Sequence, residues 1–175
     1  MSLSRRFGNS ENCALAIVKR AGSTAWCGVT HHDGGTNVFT RIMTPVDLAH
    51  AERMERSLQC GAELAALWGI PVVYVGVTAQ TPGSVAHNPE EYGRKLAAFA
   101  AAQAEARGIT AEAQAVVSHD PSTDLDDTLL KAVKDTGADL VVMASHVPGL
   151  TDYVWPSNGG KIAGHAAVSV MVVRG

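Results

Sequence analysis

Gly137-Ala138-Asp139-Leu140-Val141-Val142-Met143-Ala144-Ser145-His146-Val147-Pro148-Gly149-Leu150, then Thr151-Asp152-Tyr153-Val154-Trp155-Pro156-Ser157-Asn158-Gly159-Gly160-Lys161, and finally His165-Ala166-Ala167-Val168-Ser169-Val170-Met171-Val172-Val173-Arg174 decide how this chain folds. The first block is a buried strand that empties into a loop of small residues. Ser157-Asn158 opens a helix that its glycines weaken, and the last block is an apolar strand. In an α/β protein this order sets backbone N–H groups and a helix N-terminus at the carboxyl edge of a sheet, where phosphates bind.

Working back from that stretch, the same alternation repeats. Arg41 to Asp47 reads as a short strand broken by Pro45. A helix follows with Met54, Leu58, Ala62 and Ala65 on one face, and Gly69 and Pro71 stop it. Pro71 to Val77 is a β-branched run suited to a strand covered on both faces. Asn88-Pro89-Glu90-Glu91 starts the next helix, with Asn88 as cap, Pro89 in the first position and Glu91 closing a capping box. Tyr92, Leu96 and Phe99 are its inward residues, and Gly108 ends it. Ile109 to Val117 is a weaker strand, and Asp120-Pro121 starts a helix that turns Leu125, Leu129 and Val133 inward and ends at Gly137. Strands that alternate with helices at this spacing predict an α/β fold. It has a five-stranded parallel, Rossmann-like sheet with helices on both faces and right-handed crossovers. Residues 1–38 break the rhythm. They are expected to be an N-terminal extension, mobile or loosely docked, ahead of one domain over residues 39–175.

The bulk numbers exclude several classes. The chain has 175 residues, enough for one well-buried core, with 46% apolar residues and a formal charge of −3. It has no basic block, so nucleic acid is not an expected partner. No apolar run reaches the roughly 18 residues of a membrane span. Three cysteines without a CxxC pair indicate neither a disulfide framework nor a zinc site. The apolar run Cys13 to Val18 is short for a signal peptide and ends at Lys19-Arg20, so the expected location is the cytoplasm.

In a sheet of this kind ligands lie beyond the strand carboxyl ends, where strand order reverses. There Pro45, Val46 and Asp47 should meet Ala144 to Gly149. Asp47 is an acceptor suited to a ribose hydroxyl or a phosphate-bound cation, and equally to capping the next helix. Ser145, Gly149, Ser157 and Asn158 are candidate phosphate donors through side chain or backbone. Taken alone they also fit a Gly-containing surface loop and a capped helix. His146 and His165 lack an adjacent nucleophile, so His146 is read as lining a pocket and His165 as packing at a helix end. His31-His32-Asp33 lacks supporting ligands, and no metal site is expected there.

These residues together resemble the universal stress protein family. The likeness rests on Thr44-Pro45-Val46-Asp47, Asp120-Pro121, the stretch Gly137 to His146, Ser157-Asn158 and the closing strand, and it covers about residues 39–175. It implies the adenine-nucleotide-binding type of α/β fold and a homodimer paired through Val168 to Val173. It also implies binding of ATP, with Mg2+ on the nucleotide, in a stress-response role. By resemblance Asp47 contacts the ribose–phosphate part and Val77 presents its backbone to adenine. Met143 and Ala144 floor the site, with His146 and Val147 in its loop, and Ser157 and Asn158 hold phosphates. The family's phosphate loop has the form G-x2-G-x9-G-S/T. Here the first two glycines are Ala144 and Val147, the loop is one residue short, and Pro156 stands before Ser157. The likeness is to a branch with a shortened phosphate loop. Pro156 brings no N–H, and one lost charge-assisted hydrogen bond costs about 1.5–3 kcal/mol, or about one to two decades of affinity. Two alternatives follow: an interaction module that has lost its nucleotide and meets an unknown protein partner, or a slow ATPase. No catalytic residue is assigned. Thr44 to His50 contains neither a Ser-Gly-Gly-x-Asp-Ser loop nor a His-x-Gly-His pair.

Overall fold

The computed structural model describes residues 37–121, 123–145 and 158–174, with no side-chain description for residues 158–161. The expected extension falls outside this range except for its last two residues. Of these two, Asn37 donates its side-chain N–H to the Trp68 carbonyl at 2.7 Å.

Among the described residues five strands alternate with four α-helices: β1 Ile42–Pro45, α1 Glu55–Trp68, β2 Val72–Ala79, α2 Pro89–Arg107, β3 Ala111–Ser118, α3 Leu125–Thr136, β4 Leu140–Ala144, α4 Asn158–His165 and β5 Ser169–Val173. All strand pairs are parallel, in the order β3-β2-β1-β4-β5. β1 is central. Ile42 lies level with Val72 on one side and Leu140 on the other. Strand order therefore reverses between β1 and β4, as the sequence reading required of a ligand crevice.

The twofold alternation of side chains divides the core. Ile42, Val46, Val72, Tyr74, Leu140 and Val142 pack with Met54, Leu58 and Ala65 and with Tyr92, Leu96 and Ala100. Met43, Val73, Val75, Val141 and Met143 pack on the other face with Leu129, Ala132, Val133 and Ile162. The helical spacing of those apolar residues thus places α1 and α2 on one face of the sheet and α3 and α4 on the other. Gly69, Gly108 and Gly137 end the first three helices at φ near +65°, a conformation open to glycine at little cost. Among the described residues no helix is long and apolar enough to cross a membrane.

Two helix starts differ from the sequence expectation. Asp47 does not cap α1. Its Oδ1 accepts the Ala49 N–H at 2.9 Å, a side-chain-closed turn, and helical structure begins with a single 3-10 turn at Ala51–Met54. Asp120-Pro121 likewise forms a turn rather than the first helical residues. The Asp120 carbonyl accepts the N–H groups of Thr123 and Asp124, and its carboxylate accepts the Thr123 hydroxyl at 3.0 Å. α3 then begins at Leu125. At both places an aspartate closes a turn with the residues just after it, through its side chain at Asp47 and through carbonyl and side chain at Asp120, and the helix starts several residues later.

Candidate functional site

At the carboxyl ends of β1 and β2 the chain encloses a cavity of about 400 Å³. Its floor comes from the strand ends, Val46 and Asp47 after β1 and Val77, Thr78 and Ala79 at the end of β2. The loop from Gly83 to Ala86 forms one wall, and Tyr92 of α2 rises beside it. Pro121 and Leu125 close the side next to α3, and Ala49 and His50 form the lip.

β1 stops early and β2 continues, and that difference opens the cavity. The Val75 carbonyl accepts the Val46 N–H at 2.8 Å, the last rung after the paired residues Pro45 and Val75. Backbone groups alternate in direction with a period of two, so Val77 turns its N–H and C=O to the same side as Val75. β1 has already left the sheet there, so a donor and an acceptor face the cavity edge.

Asp47 is held on both oxygens. Oδ1 accepts from Ala49 N–H, and Oδ2 lies 2.7 Å from His50 Nδ1. The backbone repeats the closure, with His50 N–H donating to the Asp47 carbonyl at 3.1 Å. Each oxygen keeps a further lone pair for a ligand hydroxyl. Tyr92 lies across β2 because residue 76 is glycine: a Cβ there would stand 2.6 Å from Tyr92 Oη. Burial, helped by the negative charge of Asp47, pushes the Tyr92 phenol up to about 12. It therefore stays a neutral hydroxyl at ordinary pH.

The wall loop is fastened from α2. Gly83 N–H donates to the Ala86 carbonyl, and Lys95 Nζ donates to the Val85 carbonyl at 2.6 Å. Asn88 caps α2 by accepting Glu91 N–H, while the Glu91 carboxylate reaches back to His87 N–H at 2.9 Å. That is the expected capping box with its return bond made one residue earlier. Lys95 also pairs with Glu91 at 2.7 Å. Hydrogen bonds from Lys95 and then His87 hold the Glu91 carboxyl at about 2.

Of the residues singled out in the sequence, Val46, Asp47 and Val77 come together in this cavity. Pro45 is buried in β1, level with Val75. Met143 is buried in the core beneath α3 and α4, and Ala144 closes β4. Neither lines the cavity. The Ser145 backbone N–H donates to the Val173 carbonyl at 2.7 Å, extending the β4–β5 ladder. His146, Val147, Gly149, Pro156 and Ser157 lie outside the described residues, as do the Asn158 side chain and His31-His32-Asp33. Among the described residues no three metal-ligating side chains converge. Sequence reasoning did not foresee His50, Tyr92 or the 83–86 loop as site residues. The available signal was the Asp47-x-x-His50 spacing, which lets both side chains meet across a turn.

The family model for the universal stress protein family matches residues 39–174. Among solved structures, a universal stress protein family member from Burkholderia pseudomallei has 22% identity and a TM-score of 0.58, covering 79% of this chain and 98% of its own. The Archaeoglobus fulgidus universal stress protein in complex with dAMP has 21% identity and a TM-score of 0.55, covering 78% and 98%. A universal stress protein family protein from Arabidopsis thaliana with AMP bound has 17% identity and a TM-score of 0.51, covering 77% and 91%. These likenesses establish the shared fold, and the match over residues 39–174 shows that this chain belongs to the universal stress protein family.

Proposed function

We propose that this protein binds ATP or a related adenine nucleotide at the carboxyl ends of β1 and β2, as a cytoplasmic stress-response regulator. The carrying observation is the cavity that joins Asp47 to the end of β2. At about 400 Å³ it falls within the usual range for a small-molecule site, about 300–1,000 Å³. Its lining is largely apolar, suited to a base, with an acceptor at Asp47 for a ribose hydroxyl and the Val77 backbone at the base edge. Fold relatives have been solved with dAMP and AMP bound. Mg2+ is taken to arrive with the nucleotide, held on its phosphates.

Titration calorimetry with Mg-ATP and with AMP tests this reading, together with an assay of denatured protein for co-purified nucleotide. Saturable binding, weakened about tenfold or more in Asp47→Ala, is expected. No heat and no released nucleotide would overturn it.

A second reading, an interaction module without nucleotide, draws on two observations. The Ser145 N–H is already bonded to Val173, and Pro156 has no N–H to give. With the Ala144 and Val147 replacements, these support the reading of a branch whose shortened phosphate loop grips phosphates weakly. We assign the nucleotide to binding rather than turnover. ATP hydrolysis no faster than that of Ser157→Ala is the expected result. The dimer is assigned to β5, within the expected segment Val168 to Val173.

A further inference from the structure

His50 forms part of the cavity lip and makes a 2.7 Å contact to Asp47, yet the nucleotide reading gives it no task. An ionised carboxylate only accepts, so Nδ1 must carry the proton in this contact and donate it to Oδ2. Both side chains are partly shielded, 31% exposed for His50 and 25% for Asp47. The other oxygen is fixed by Ala49 N–H at 2.9 Å. With one donor on each oxygen the carboxylate has no free rotation left. Both residues line the cavity, and each carboxylate oxygen keeps a further lone pair for a ligand there.

We propose that His50 is a positioning residue that lets Asp47 distinguish ribose from a sugar lacking its hydroxyls. The inference rests on the nucleotide reading and deepens it. A carboxylate held by two donors offers a hydroxyl a preset acceptor and loses little rotamer freedom on binding. Without the imidazole, Asp47 keeps its charge and the Ala49 bond but can swing about them, and the hydroxyl must order it. Selection for a hydroxyl depends on such preset partners, because an analogue without the hydroxyl leaves them unpaired.

The test compares AMP with 2′,3′-dideoxyadenosine monophosphate by calorimetry, in wild type, His50→Ala and His50→Asn. Asn can return an N–H close to the position of Nδ1. Wild type is expected to prefer AMP by about tenfold. His50→Ala should lose most of that preference, with the AMP affinity falling further than the dideoxy affinity. His50→Asn should recover it in part. A merely structural role would lower both affinities together and leave their ratio alone, and that result would overturn the inference. So would equal loss of the ratio in His50→Ala and His50→Asn. A wild type that binds both nucleotides equally would overturn the inference and leave the nucleotide reading standing. One that binds neither would overturn both.

Discussion

At the scale of single residues, the cavity depends on an absent side chain. Tyr92 can lie against β2 only because Gly76 has no Cβ; the Tyr92 hydroxyl oxygen and the ring atom Cε1 would be 2.6 and 2.8 Å from one. Gly76→Ala must push the ring away, into the space a ligand would use or off the sheet. Overpacking of this kind costs about 1–3 kcal/mol. A lowered unfolding midpoint in denaturant is expected, and the cost should shrink in a Tyr92→Leu background. Additive effects in that double-mutant cycle would count against the contact. Neither partner announces the other in the sequence. Gly76 reads as one weak position in a β-branched run, and Tyr92 as an ordinary inward residue of a helix. The pair becomes visible only when α2 is laid on the face of β2 where Tyr74 and Gly76 point.

At the scale of elements, hydrogen-bonded carboxylates decide where segments begin. Asp139, just before β4, receives the Thr40 N–H and hydroxyl and the Arg41 N–H at 2.8 to 3.0 Å, tying the entry of β1 to the entry of β4. Burial raises its carboxyl, but these bonds outweigh burial and the net shift is downward. Asp139→Asn keeps one acceptor oxygen and the shape, and should cost about 1–2 kcal/mol in denaturant unfolding. An unchanged midpoint would show that the bonds add nothing. The downward shift means that stability present above the unfolded value, about 3.9, is lost as pH falls below it. Glu91 behaves alike over a stated window. Its folded value of about 2 lies below the unfolded value of about 4.3, so its contribution is full above the latter and fades toward pH 2. The 83–88 loop, fastened through Lys95 and His87, should loosen in that window. Amide exchange at Gly83 and His87 should rise in wild type, and Glu91→Gln should already show the faster exchange at neutral pH. β2, β4 and β5 were the most legible strands because their β-branched runs have one physical use, while β3, with only Val116 and Val117 β-branched, was the weakest. The starts of α1 and α3 were less so, because Asp47 and Asp120 choose between capping a helix and closing a turn. The cavity was least legible, since one of its walls, Gly83 to Ala86, is a loop without periodicity.

At the scale of the whole molecule, a five-stranded open sheet has two edges, and their sequences differ. β3 carries Glu112 and Gln114, and Glu112 is paired with Arg41 at 2.8 Å. Charge on an edge strand discourages pairing with another chain. β5 reads Ser169-Val170-Met171-Val172-Val173 without a charge, and Met171 and Val172 are each about 40% exposed. The bonds to β4 use the Ser169 N–H and the Val173 carbonyl, so the same alternation turns the N–H and C=O of Val170 and Val172 outward. Among the described residues no strand takes that row, and a row of this kind is suited to a second copy, with a twofold axis between the two β5 strands. Proline is tolerated on an edge when its missing N–H points away from the sheet. Val172→Pro therefore removes one outward donor and leaves the β4 ladder whole. Sedimentation should give the mass of two chains for the wild type and one chain for Val172→Pro, with Val172→Thr, which keeps the N–H, remaining dimeric. Nucleotide affinity should be unchanged across the three, because the cavity lies at the ends of β1 and β2, two strands from β5 at its nearest. A wild type of single-chain mass would remove the edge from the assembly and leave the exposed Met171 and Val172 without that use.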